Sequence, residues 1–181
     1  MFLKLINLLT ISRILIGVII FIMLAFDRNA LLVFILFLVA GLTDYFDGLL
    51  ARRFKLTSQF GEIIDPIADK ILIVFVLFGL SIHLSSYLVA FAGAIIISRE
   101  IWVSALRDFN ARNNNLSATK VTFLATLKTS IQLFTISIYL FGLAFNKMLM
   151  IVIGDVFIVI SALITIQTGI NYTLSTFKDS Y

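Results

Sequence analysis

Apolar runs long enough to cross a bilayer recur along the whole chain, and no other feature of the sequence constrains its fold as much. A helical span needs about 20 predominantly apolar residues, and the segments between the runs are too short for a water-soluble domain. Of the 181 residues, 61% are hydrophobic and 13% are charged, with a single proline, a balance foreign to soluble chains. The runs are continuous and lack the strict alternation of membrane strands, so helices are expected and a barrel is not. They divide into six helices, about Asn7 to Phe26, Ala30 to Arg52, Gly61 to His83, Tyr87 to Phe109, Ala118 to Leu143 and Met148 to Tyr172. The expected architecture is all-α, a polytopic bundle of six transmembrane helices forming one membrane-embedded domain over residues 1–181. The first run shows no small-residue cleavage site and is read as a span, not a signal peptide.

Orientation follows from the basic residues. With the N-terminus inside, twelve of them (Lys4, Arg13, Arg52, Arg53, Lys55, Lys70, Arg99, Arg107, Arg112, Lys120, Lys128 and Lys178) fall on the inner side, against Arg28 and Lys147 outside. Both termini are therefore expected in the cytoplasm. The net charge of +4 does not indicate nucleic acid, because the basic residues sit at span ends without the interleaved aromatics of a base-stacking surface. Membrane lipids with anionic headgroups are the expected partners. The absence of cysteine excludes disulfides, thiolate metal sites and cysteine nucleophiles, leaving oxygen ligands or the lone His83 for any metal. His83, at the outer end of its helix, reads as a headgroup contact. Asp155, inside the last helix, reads as an acid matched by a hydroxyl or by a dimer contact, with a place in the cavity lining as the alternative.

The second and third helices carry four acids where apolar residues are expected: Asp44 and Asp47, three apart, and Asp65 and Asp69, four apart. Each pair projects from one face of its helix. The short link Arg53 to Phe60 is expected to make these helices antiparallel neighbours whose acidic faces meet. One ionised Asp at a helix centre costs roughly 2.5 to 3.5 kcal/mol on the insertion scale, so the group needs water, cations or protein partners. Oxygen-only ligation favours Mg²⁺ or Mn²⁺ over Zn²⁺, and a carboxylate-bridged pair of ions is a recurring device of phosphoryl chemistry. Pairing with Arg52, Arg53 and Lys70 at headgroup level is the structural alternative. Gly48 and Gly61 let a bulky group approach the backbone, or serve close helix packing. Arg52 offers a planar fork for a phosphate, or snorkels.

The stretch Asp44-Tyr-Phe-Asp47-Gly48-Leu-Leu-Ala51-Arg52, followed after eight residues by Gly61, then Asp65 and Asp69, resembles the complete signature of the CDP-alcohol phosphatidyltransferase family. The resemblance implies a homodimer of six-helix protomers, each with a polar cavity facing the cytoplasm. It implies that Asp44, Asp47, Asp65 and Asp69 bind two metal ions, and that Asp69 also takes the proton of the attacking alcohol. It places Gly48, Arg52 and Ser58 against the CDP-lipid, with Asn7 and Thr10 at the nucleotide. The expected location is the bacterial cytoplasmic membrane.

Within the family, three segments are similar to members that use glycerol 3-phosphate as acceptor: Asn7 to Arg13, Thr43 to Lys70, and Arg99 to Asp108, supported by Lys128 to Gln132. An acceptor with its own phosphate needs cations near the cavity. Arg99 and Arg107, eight apart on one helix, and Lys128 on the next are the candidates. Pairing of Arg99 with Glu100 or a catalytic Asp, anchoring of Arg107 at the inner leaflet and snorkelling of Lys128 are the alternatives. One position departs from the pattern, since Ala125-Thr126 stands where these members place Gly-Lys. The expected reaction transfers the phosphatidyl group of CDP-diacylglycerol to glycerol 3-phosphate, giving phosphatidylglycerophosphate and CMP by direct displacement. The same chemistry with phosphatidylglycerol or inositol phosphate is the nearest rival. A cation transporter is the rival of another class, although the chain lacks inverted repeats and broken helices.

Overall fold

The computed structural model describes residues 2–54, 59–113 and 123–178, with side chains over 8–44, 64–113 and 127–177. Six helices follow one another: α1 (Phe2–Ala25), α2 (Ala30–Phe54), α3 (Gln59–His83), α4 (Tyr87–Arg112), α5 (Phe123–Ala144) and α6 (Met148–Lys178). The expected helices are all present. The main differences are that α1 begins five residues earlier and α6 ends six residues later than the apolar pattern indicates, because the helix outlasts the apolar run. The expected start of the fifth helix at Ala118 lies outside the described residues. Five helices carry an apolar stretch long enough to cross a membrane, while in α2 the described apolar stretch, Ala30–Asp44, is shorter. The chain is a multi-pass membrane protein.

Three tight turns close the hairpins α1/α2, α3/α4 and α5/α6 in one way. Asp27, Ser85 and Asn146 take left-handed φ values of 50°, 47° and 52°. The next amide reaches back five residues, Arg28 to the Met23 carbonyl, Ser86 to that of Ser81 and Lys147 to that of Gly142. This satisfies carbonyls that a helix end leaves open. The Asn29 and Ser86 side chains then accept from Leu32 N and Val89 N, capping α2 and α4. His83 sits at this end mostly buried, with Nδ1 bonded to the Leu24 carbonyl at 3.1 Å. It ties α3 to α1, a contact that its position in the sequence did not disclose.

The helices close into a ring in which α1 packs on α3, α3 on α4, α4 on α6, α6 on α5, α5 on α2, and α2 on α1. Among the described residues α2 and α3 make no contact, so they are not the direct neighbours that their short link implied. Helix α1 lies between them. Its buried positions run Thr10, Arg13, Gly17, Ile20 and Leu24, a three-four spacing that draws one seam down the helix. Glycines bring that seam close to α3: a Cβ on Gly17 would stand 3.2 Å from Leu72 Cα, and one on Gly79 2.9 Å from Leu24 Cδ1.

The interior is apolar towards the tight turns, around Ile20, Leu24, Val33, Val76, Leu80, Val89, Ile136 and Leu140. Further along the bundle it becomes polar, with Thr10, Arg13, Arg99, Asn110, Lys128, Gln132, Thr165 and Thr176 all buried. Bonds between helices match these groups, such as Gln132 to Thr165 at 3.2 Å and Asn110 to Thr176 at 2.9 Å. Asp155 accepts from the Tyr139 hydroxyl at 2.7 Å, one of the two matches expected for it. Large apolar side chains such as Leu15, Ile22, Phe91, Phe134, Val156 and Leu163 face outward, as a lipid solvent requires.

Gly79→Val should therefore lower thermal stability in detergent by about 1–3 kcal/mol, the usual cost of overpacking. Gly41→Ala, where an added Cβ meets nothing within 4 Å, should stay within error of the parent. Equal losses at both positions would show that the α1/α3 approach does not limit packing.

Candidate active site

The seam of α1 carries a charge into the bundle. Arg13 is fully buried, and its guanidinium reaches Asp44 on α2 at 2.5 Å, Asp69 on α3 by a short contact, and Asp65 on α3 at 3.5 Å. Thr10, one turn earlier, donates its hydroxyl to Asp65 Oδ1 at 2.6 Å. The three acids are arranged unlike the arginine, with 52%, 42% and 45% of the Asp44, Asp65 and Asp69 side chains exposed. The cluster is thus sealed on the arginine side and open on the other. Asp65 and Asp69 share a face because they are four apart on one helix, and Asp44 joins them across α1.

The donor set is oxygen-only, half open and already in contact with a cation, so its chemistry suits a hard divalent ion. Among the described residues, however, no three acidic or histidine side chains form a ready shell for one ion. Each acid turns Oδ1 to Arg13 instead. Asp47, Gly48 and Arg52 lie on α2 and Asn7 on α1, but their side chains are outside the described residues, as is Ser58 altogether.

A second group of side chains gathers next to the acids. Lys70, Arg99, Arg107 and Lys128 line one cavity of about 390 Å³ with Ser104, Thr129 and a single acid, Glu100. Glu100 accepts from Arg99 at 3.1 Å and from Lys128 by a short contact. Lys70 donates to the Ser104 hydroxyl, which in turn donates to the Glu100 carbonyl at 2.7 Å. The pairing of Arg99 with Glu100 posed as an alternative is therefore present, yet it uses one nitrogen only. Arg99 Nε and Nη2 are buried and make no hydrogen bond among the described residues. The guanidinium fits beside α6 because residue 169 is glycine; a Cβ there would stand 3.0 Å from Arg99 Cγ. Arg107 is exposed, donates to the Tyr172 hydroxyl at 3.1 Å and lies over that ring at 5.2 Å.

A cavity of about 290 Å³ between α3, α4 and α5 joins the two groups, its walls including Asp69, Lys70, Glu100, Lys128 and Thr129. The structure so brings together Asp44, Asp65 and Asp69, with Thr10 beside them, on one side and Arg99, Arg107 and Lys128 on the other. Arg13, Lys70 and Glu100 were not singled out as site residues. For Arg13 the signal was present, since an arginine within an apolar span needs a partner.

The family model of the CDP-alcohol phosphatidyltransferases matches residues 3–167. A protein of Rickettsia typhi named CDP-diacylglycerol--glycerol-3-phosphate 3-phosphatidyltransferase is 36% identical over 170 residues, covering 92% of this chain and 93% of its own. The protein of that name from Wigglesworthia glossinidia brevipalpis is 33% identical over 148 residues, 81% of this chain and 79% of its own. The Escherichia coli K12 protein of that name is 38% identical over 99 residues, 55% of this chain and 54% of its own. With the family match running from α1 into α6, and with Asp44, Asp65 and Asp69 gathered around Arg13, this chain belongs to the CDP-alcohol phosphatidyltransferase family.

Proposed function

We propose that this protein transfers the phosphatidyl group of CDP-diacylglycerol to the primary hydroxyl of glycerol 3-phosphate, releasing CMP. The observation that carries the choice of acceptor is the buried Arg99 guanidinium, with two nitrogens unbonded among the described residues, beside a cationic cavity that shares walls with the cavity of Asp69. Buried donors without partners are costly, and a phosphate placed there would satisfy them. The relatives' names point to the same acceptor.

In this reading Asp69 takes the proton of the acceptor hydroxyl as its oxygen attacks the lipid-side phosphorus. The P–O bond to CMP breaks in line, and the electron pair leaves with CMP. Lys128, Arg99 and Arg107 hold the acceptor phosphate so that the hydroxyl points along the shared cavity towards Asp69. Arg52, Gly48 and Ser58 hold the CDP-lipid, with Asn7 and Thr10 at the nucleotide. Asp44, Asp47, Asp65 and Asp69 are the residues that would hold Mg²⁺ or Mn²⁺, proposed as two ions. When bound, these ions supply neutralisation of the pyrophosphate and leaving phosphate. No covalent nucleophile is required. The working unit is proposed to be a homodimer in the bacterial cytoplasmic membrane, with the acidic end and both termini in the cytoplasm, a placement supported by the distribution of basic residues.

The first test is a product assay with CDP-diacylglycerol and glycerol 3-phosphate, phosphatidylglycerol or inositol phosphate in turn. Turnover confined to glycerol 3-phosphate is expected, and preference for either of the others would replace the acceptor. A chelator should abolish the activity and Mg²⁺ or Mn²⁺ restore it; full activity in chelator would remove the ions from the mechanism.

Replacing Arg99, Arg107 or Lys128 with Gln should raise the acceptor KM about ten-fold to a hundred-fold, the worth of one charged hydrogen bond. The KM for CDP-diacylglycerol should change little. Asp69→Asn should abolish turnover while CDP-lipid binding survives. Equal weakening of both substrates by the cation variants would make those residues structural anchors.

A further inference from the structure

Arg13 belongs to no role assigned above, yet it touches three of the four signature acids at once, from a different helix. The nearer wall of the cluster is this one side chain, fully buried, while the acids remain about half exposed on the side away from it. An arginine in this position is not snorkelling, because its head lies inside the bundle, and it is not a headgroup anchor, because lipid cannot reach it. Its planar fork lets one group span several carboxylates, which a point charge does poorly. Thr10 supports the arrangement from the preceding turn, bonding Asp65 while lying 3.5 Å from Arg13 Nη2.

We propose that Arg13 is the resident counter-ion and positioning residue of the acidic site: it gathers Asp44, Asp65 and Asp69 by Oδ1 from the buried side, so that the site is assembled before any divalent ion arrives. The proposal builds on the reading of these acids as the ion site but makes a separate claim about the protein without ions. Three carboxylates drawn together with no cation among them would repel one another and force α2 away from α3, since no direct α2/α3 contact among the described residues holds those helices together. A divalent ion held by these acids would relieve the same repulsion that the guanidinium relieves. Removing one should increase the dependence on the other.

The experiment is thermal unfolding of the purified protein in detergent, in chelator and in saturating Mn²⁺, for the parent, Arg13→Gln, Arg13→Lys, Asp65→Asn and the double variant Arg13→Gln/Asp65→Asn. In chelator, Arg13→Gln should lower Tm on the order of 6–20 °C, the scale set by unpairing a buried charge in a chain of this size. Arg13→Lys should recover more than half of that loss. Adding Asp65→Asn to Arg13→Gln should recover part of it, because one repelling charge has been removed, and saturating Mn²⁺ should narrow the gap between Arg13→Gln and the parent. A loss in Arg13→Gln that is the same in chelator and Mn²⁺, and that neither Lys nor the added Asp65→Asn relieves, would overturn the proposal and leave Arg13 as a packing residue. If Arg13→Gln does not fold, the double variant and Arg13→Lys decide in its place: both folding supports the counter-ion, and neither folding overturns it. A parent indifferent to Mn²⁺ would sink the ion reading of the acids, while recovery in the double variant would still sustain Arg13 as their counter-ion.

Discussion

A guanidinium sealed from water must be matched by anions, and in this protein that requirement ties three helices together at one point. Arg13 of α1 is held by Asp44 of α2 and by Asp65 and Asp69 of α3, although α2 and α3 make no contact of their own among the described residues. Burying one charge in hydrocarbon without a partner is costly enough that such residues face the bundle interior. Here the match is mutual: the acids are as unwelcome in a membrane as the arginine. Each makes the other tolerable, and the helices that carry them are fixed in the process. The close α1/α3 approach at Gly17 and Gly79 continues the same seam towards the opposite end, where the match is apolar.

This inverts the usual arrangement of a soluble bundle. Lipid is the solvent, so apolar side chains cover the outside, and the buried seams hold most of the polarity at one end. On α5 the buried positions Lys128, Gln132, Thr135 and Tyr139 repeat at helical spacing, and on α6 so do Ser161, Thr165, Thr168, Tyr172 and Thr176. Polar contacts between helices, such as Gln132 to Thr165 and Asn110 to Thr176, contribute where lipid supplies no hydrophobic drive between helices. A polar interior is also what a cavity for charged substrates needs, so the packing of the bundle and the lining of the proposed site draw on the same residues.

The same inversion explains what could be read from the sequence. The number of helices was legible because run length alone decides it, and the acids stood out because four Asp residues in apolar runs need compensation from water, cations or protein partners. The boundaries of α6 were less so, since its polar last turns, through Ser175 and Thr176, look like a loop by composition but are held in the helix, Thr176 by its contact with Asn110. The order of the helices in the ring was not legible at all. A short link between α2 and α3 implied neighbours, and nothing in the link discloses that α1 enters between them. Nor was the face of α1 visible in its hydrophobic pattern, because the helix is apolar all round. The residues that mark its buried seam are the polar and small ones, Thr10, Arg13 and Gly17, which a search for an apolar stripe passes over.

Asp69 and Lys70 show how the two halves of the proposed site are held apart and yet adjacent. Successive residues on a helix point about 100° apart, so Asp69 turns to Arg13 while Lys70 turns to Ser104. On one side three carboxylates face one guanidinium, and on the other Lys70, Arg99, Arg107 and Lys128 face the single acid Glu100. Neither side is balanced internally: the first retains excess negative charge and the second excess positive charge. The excess on the first is a demand for cations, and the excess on the second is a demand for an anion. A reaction between a pyrophosphate held by divalent ions and an alcohol carrying its own phosphate would meet both demands at once, with the reacting oxygen between them beside Asp69. The helix step from residue 69 to residue 70 is what allows two such opposed environments to lie within reach of one bond.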